Sequence, residues 1–227
     1  MPKVIFKFNK EKDLYNIWET CNSSSNWYDF KKTIHSIFLD ICEGKKFEEC
    51  KGELKRYRDK MHDSGLIEIF VKSVQEAWNK INDEFFKRLE RIMKKSICSK
   101  NFTGYVTTII RCPYDYKKKS FMISFFRDLP HVLSTTGHEI MHIQFHNTYW
   151  PEIEKQIGKE KTADLKETLT ILLNLEFKDL WFVEDTGYEP HKQLRKFIEE
   201  QWEKEKDFDV LLEKSVKYLK ENKSNNL

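Results

Sequence analysis

Apolar residues recur along most of this chain at three- and four-residue steps, the period of helices that bury one face. The longest such run, Ile67, Phe70, Val71, Val74, Trp78, Ile81, Phe85, Leu89, Ile92 and Met93, predicts one long helix. Before it, Leu14 and Trp18 fit a first helix closed by the polar run 21–26. A second stripe, Phe30, Ile34, Ile37, Phe38 and Ile41, ends near Gly44, and a charged helix covers about 47–61. The lone histidines His35 and His62 fall within these helices and read as structural.

The period changes after residue 100. Residues 4–8, 105–110 and 120–126 are rich in β-branched and aromatic side chains and predict short strands. A basic hairpin loop over 113–119, tipped by Lys117, Lys118 and Lys119, joins the last two. Residues 132–150 then read as a buried helix with Pro130 in its first turn, Pro151 helping to end it and Gly137 as its weak spot. Another helix is predicted over 162–174, with Leu165, Leu169, Leu172 and Leu173 as its stripe. An apolar stretch at 177–182, a loop at 185–191, an amphipathic helix from 194 to 219 and a polar tail at 221–227 complete the chain. The pattern predicts an α+β, mainly α fold with a small antiparallel sheet. Residues 1–100 form a helical region with a short strand, and 101–227 a core, the two fitting one compact domain as well.

Composition narrows the classes. Aromatics at 14% require a packed core, and charged residues at 34% with only 7 Gly and 5 Pro favour helices. A net charge of +3, with both signs interspersed, announces no nucleic-acid partner. No apolar run is long enough for a membrane span or signal peptide. The five cysteines (Cys21, Cys42, Cys50, Cys98, Cys112) are odd in number and lack Cys-x-x-Cys spacing, so reduced thiols in the cytoplasm are expected. No internal repeat is present, and nothing in the sequence sets the oligomeric state.

One constellation carries chemistry: His138-Glu139-Ile140-Met141-His142, inside the buried helix predicted for 132–150. Residues four apart share a helical face, so His138 and His142 present two imidazoles to one metal ion. Glu139, about 100° further round, reaches a water beside that pair. Zinc suits such a site, because catalytic zinc keeps three protein ligands and one open position. This is the zincin metallopeptidase signature, with Glu139 as general base. His146 extends the histidine series, but eight residues span about 12 Å along a helix, too far for one ion.

With Glu167, 25 residues beyond His142 on the following helix, the chain resembles the gluzincins, the thermolysin-like zincins. The resemblance implies zinc held by His138, His142 and Glu167. Its usual Asn before the ligand glutamate and Asp four after are replaced here by Lys166 and Ile171. Asp164, three residues earlier, is the candidate to orient a ligand histidine. The family also places a Tyr or His downstream to steady the oxyanion, for which Tyr188 and His191 are the available residues. It further implies that the strand ending at Phe126 is an edge that pairs with extended peptide.

The expectation is therefore a zincin-like, Zn2+-dependent peptidase acting on a peptide or protein substrate. Two other classes stay open: a non-catalytic zinc-binding or regulatory module, and a metal-free helical interaction protein.

Overall fold

The computed structural model describes residues 1–24 and 27–222. Strand β1 (Lys3–Phe8) leads into helix α1 (Lys10–Asn22), capped by the Asn9 side chain, which accepts from Lys12 N at 2.9 Å. A 3-10 turn (Phe30–Thr33) precedes α2 (Ser36–Cys42), α3 (Phe47–His62) and α4 (Leu66–Met93). Strands β2 (Asn101–Thr107), β3 (Tyr114–Asp115) and β4 (Ser120–Ser124) follow. The remainder is helical: α5 (Leu129–Thr148), α6 (Trp150–Thr168), α7 (Ile171–Glu176), α8 (Lys178–Trp181), α9 (Lys192–Glu205) and α10 (Phe208–Glu221).

Helix breaks fall where local chemistry demands them. The stripe expected as one helix over 30–41 is split at His35, whose backbone is extended and whose ring caps α2 by accepting from Ile37 N at 3.2 Å. The helix expected over 162–174 ends at Thr168 and restarts at Ile171, and the final run breaks at Lys206, φ 49°. Ser25 and Asn26 of the polar run, and residues 223–227 of the polar tail, lie outside the described residues. No helix among the described residues is long and apolar enough to cross a membrane.

The sheet corrects one expectation. Its order is β1-β2-β4-β3; β1 pairs parallel with β2, β2 pairs parallel with β4, and only β3 runs antiparallel, beside β4. It is mixed rather than antiparallel, because parallel neighbours need long crossovers: residues 108–119 link β2 to β4, and a much longer crossover links β1 to β2. Helices α1 to α4 form that crossover, so the helical region 1–100 is bracketed by two adjacent strands of one sheet. Strand β4 is buried on both faces except at Met122, which suits an interior position and leaves the two-residue β3 as the edge.

Helix α4 is the platform of the main core. Its Trp78, Phe85, Phe86 and Leu89 are buried in one cluster with Phe102, Phe121, Ile140, Phe145, Phe177 and Trp181. Full burial of each large apolar side chain stabilises by roughly 1.5–3 kcal/mol. A second cluster gathers Leu14, Ile17, Phe38, Ile41, Leu54 and Ile109 around Cys21, Cys42 and Cys50. Asp13 stitches its edge to the sheet: the fully buried carboxylate accepts from Thr107 Oγ1 (2.8 Å), Thr108 N (2.6 Å) and Thr108 Oγ1 (2.6 Å), and meets His62 Nε2 at 2.8 Å.

Two glycines permit close approach. Gly104 lies between Phe6 and Phe121 in register, and a Cβ there would sit 2.6 Å from the Phe6 ring. Gly137, the apparent weak spot of α5, faces Trp181 and Phe85; a Cβ would come within 2.8 Å of the Trp181 ring and 3.1 Å of Phe85. Alanine is the better helix former by roughly 1 kcal/mol. Overpacking against two immobile rings costs about 1–3 kcal/mol. Gly137→Ala is therefore expected to lose up to about 2 kcal/mol net in urea denaturation, and not to gain the increment that helix propensity alone would give.

Candidate functional site

Helix α5 starts at Asp128, whose side chain accepts from His131 N at 3.1 Å, with Pro130 in the first turn. Between 132 and 146 it is buried almost all round; only Thr135, His138 and His146, which share one face, are partly exposed. His138 and His142 meet the second half of α6 at Glu167. Gly158, φ 80° and ψ 166°, kinks α6, and after the kink Leu165, Lys166, Glu167 and Thr168 are all buried at its C-terminal end.

Here three predicted residues converge. Glu167 Oε2 lies 3.3 Å from His142 Nε2 and 3.6 Å from His138 Nε2, and the donor atoms of the three lie within 4.8 Å of one another. Ligands on one tetrahedral zinc stand about 3.3–3.5 Å apart. The His142 nitrogens Nε2 and Nδ1 are both buried without a well-formed hydrogen bond. Orphaned imidazole nitrogens beside a carboxylate oxygen are a donor set into which a divalent ion fits. His146 stands apart, its Nε2 2.8 Å from Tyr114 OH and its ring stacked between Tyr116 and Trp150.

The residue that orients His138 is one the sequence did not single out. Asp185 Oδ2 lies 2.7 Å from His138 Nδ1, so Nδ1–H donates to it and Nε2 is the nitrogen turned toward His142 and Glu167. Asp185 is itself fixed: Gly187 N donates to its Oδ1 at 2.8 Å, its backbone exchanges two hydrogen bonds with the Asn174 side chain, and Arg195 Nη2 donates to its carbonyl at 2.6 Å. Asp164, the expected orienter, is engaged elsewhere, receiving Trp27 Nε1 at 3.0 Å and meeting His191 Nε2 at 3.1 Å. Its backbone position three residues before Glu167 turns it toward the loop holding His191, whereas His138 faces the loop after α8.

Glu139 is buried beside the cluster, and its Oε2 has no hydrogen-bond partner. Burial pushes its carboxyl up to about 8; the His138 charge opposes this and the Glu167 charge adds to it. Burial disfavours charge on His138 too, but Asp185, by charge and hydrogen bond, outweighs it and lifts the ring to about 10. His142, buried and close to the Lys166 ammonium, drops to about 3. Glu167 stays ionised well below the carboxylate range: burial raises it, and His142 and Lys166 more than compensate.

The two predicted oxyanion residues take different places. The Tyr188 hydroxyl is raised by burial and by the charges of Glu167, Glu139 and Asp185, so it stays protonated close to the cluster. Its ring packs at 5.8 Å from Trp27 and 6.4 Å from Tyr28. His191 is buried against Trp27 with its Nε2 toward Asp164. Tyr114 and Lys166 also belong to the site. The Tyr114 ring is 5.3 Å from that of His142, and Lys166 Nζ bonds Glu167 Oε1. No motif spacing marks either residue; only the sheet edge and the helix end bring them in. Strand β4, expected to be the peptide-pairing edge, is interior, because Pro113 O and β3 occupy its outer side. The edge nearest His142 is β3.

No protein-family model, curated protein or solved structure matches this chain.

Two outcomes follow from this geometry. Asp185→Ala should keep the fold by circular dichroism and weaken zinc binding roughly 10- to 100-fold in chelator competition, as loss of a ligand's supporting carboxylate does. The raised His138 pKa means that, below about pH 10, a metal must expel this ring's proton, whereas His142 is already neutral. Zinc affinity should thus fall about tenfold for each pH unit lost between about pH 8 and pH 6. A flat profile there would remove His138 from the ligand set.

Proposed function

We propose that this chain is a zinc-dependent peptidase of the gluzincin type, with His138, His142 and Glu167 as ligands. The observation that carries the reading is the convergence, from two helices, of two imidazole nitrogens and one carboxylate oxygen beside a buried carboxylate that has an unused oxygen. Bound there, zinc would supply Lewis-acid polarisation of a water and of a peptide carbonyl.

The chain's own groups account for the remaining steps. Glu139 takes the proton of the attacking water and delivers it to the leaving amine. Its carboxyl, near 8 with the cluster as it stands, falls with any positive charge placed among the ligands, which brings it toward the range a general base needs at neutral pH. Asp185 holds His138 at Nδ1, which aims Nε2 at the metal position. Tyr188, protonated and close to the acids, is the donor for the developing oxyanion, while His191 steadies the wall behind it through Asp164. An extended peptide would lie along the free edge of β3, next to His142. Buried thiols among the core residues suit a reducing, cytoplasmic setting.

Glu139→Gln separates a peptidase from a module that only holds metal. The variant should bind zinc as the parent does and lose at least about 100-fold in kcat on a peptide library, the lower bound for removing a general base. Parent protein that binds zinc yet cleaves no peptide, with or without chelator, would defeat the peptidase reading.

A further inference from the structure

We infer that Lys166, backed by Tyr114, is a positioning residue that commits one oxygen of Glu167 to the protein and leaves only the other for the metal. The inference rests on the zinc reading above and concerns how that centre is built.

Adjacent residues on a helix diverge by about 100°, so their side chains do not ordinarily meet. Lys166 and Glu167 nevertheless do, at the C-terminal end of α6. Lys166 Nζ donates to Glu167 Oε1 at 2.6 Å and to Tyr114 OH at 3.0 Å, and the side chain is only 5% exposed. A buried ammonium is tolerated only where charge and hydrogen bonds answer it, and here one carboxylate and one phenol do so. The ammonium also lies 4.8 Å from the Tyr114 ring centroid and 5.9 Å from that of Trp27.

The far end of the chain of contacts is equally fixed. Tyr114 OH, which accepts from Lys166, also shares a hydrogen bond with His146 Nε2, 2.8 Å away. The His146 ring is clamped between Tyr116, at 4.5 Å, and Trp150, at 4.2 Å. Thus a surface ring stack, a phenol and a buried ammonium hold Glu167 Oε1 in place. Oε2 is the oxygen that remains, 3.3 Å and 3.6 Å from the two imidazole nitrogens. A carboxylate with both oxygens free binds a metal through one or both. One tied to an ammonium gives one, which keeps three protein donors and an open fourth position. Lys166 thereby does by charge what the amide and carboxylate neighbours of the gluzincin pattern, absent here, cannot do.

The test loads wild-type protein, Lys166→Met and Tyr114→Phe with zinc and, separately, with cobalt. Lys166→Met keeps the chain length and removes the ammonium; Tyr114→Phe removes one anchor and keeps it. Zinc affinity by chelator competition should fall roughly 10- to 100-fold in Lys166→Met and toward the lower end of that range in Tyr114→Phe. With Glu167 released to bind through both oxygens, the visible cobalt band should weaken several-fold as the centre goes from four- to five-coordinate. A purely structural role for Lys166 would not move that band in folded protein. Wild-type affinity and an unchanged band in Lys166→Met overturn the inference while leaving the zinc reading intact. If Lys166→Met does not fold, an unchanged band in Tyr114→Phe overturns it instead. Wild-type protein that takes up neither metal overturns both.

Discussion

The interior beside α5 holds more charge than an apolar core tolerates, and the arrangement around it follows from answering that charge. Glu139, His142, Lys166, Glu167 and Arg195 are all buried there, and His138 and Asp185 are mostly so. Left isolated, each would cost more than a small domain has to spare. Asp185 answers His138, Lys166 answers Glu167, and Arg195 closes on the Asp185 carbonyl and Thr170. Among these charged and titratable groups, both nitrogens of His142 and one oxygen of Glu139 stay without a hydrogen-bond partner.

That network needs a frame that does not give. Helix α4 and the aromatic cluster supply it, with Trp78, Phe85 and Phe86 packed edge-on or tilted, and Trp181 stacked on Phe177. Gly137 lets α5 sit directly on Trp181 and Phe85, which sets the depth of His138 and Glu139, its immediate successors in the chain. The same framework gives the long helical crossover between β1 and β2 its purpose. It delivers α4 beneath the sheet and, through the loop bearing Trp27, an aromatic wall beside Asp164, His191 and Tyr188.

The sheet sets which strand borders the cluster. With β4 in the interior and β3 at the edge, the strand that borders the cluster is short, and Tyr114 is its first residue. Tyr114 therefore belongs to the edge and to the hydrogen-bonded chain behind Glu167 at once. The lysine-tipped turn that follows β3 is tied back to α5 by Lys119 and Asn147, so it serves as a brace for that edge.

Much of this was legible in the order of residues. The helical stripe of α4, the strand at 3–8, the buried helix with two histidines one turn apart and the acid 25 residues on are all local or periodic signals, carried by spacing alone. Contacts between segments distant in sequence leave no such trace. Asp185 reaches His138 across 47 residues, Tyr114 reaches Lys166 across 52, and neither pair shares a helix or a motif. The parallel pairing of β2 with β4 was equally hidden, because strand direction depends on where the intervening chain packs, whereas the β-branched pattern of a strand is the same either way. Sequence determined which side chains could ligate and which faces would be buried. Tertiary structure alone decided which carboxylate orients which imidazole, since that choice is made by the folding of loops and helix ends around a charge that cannot be left unpaired.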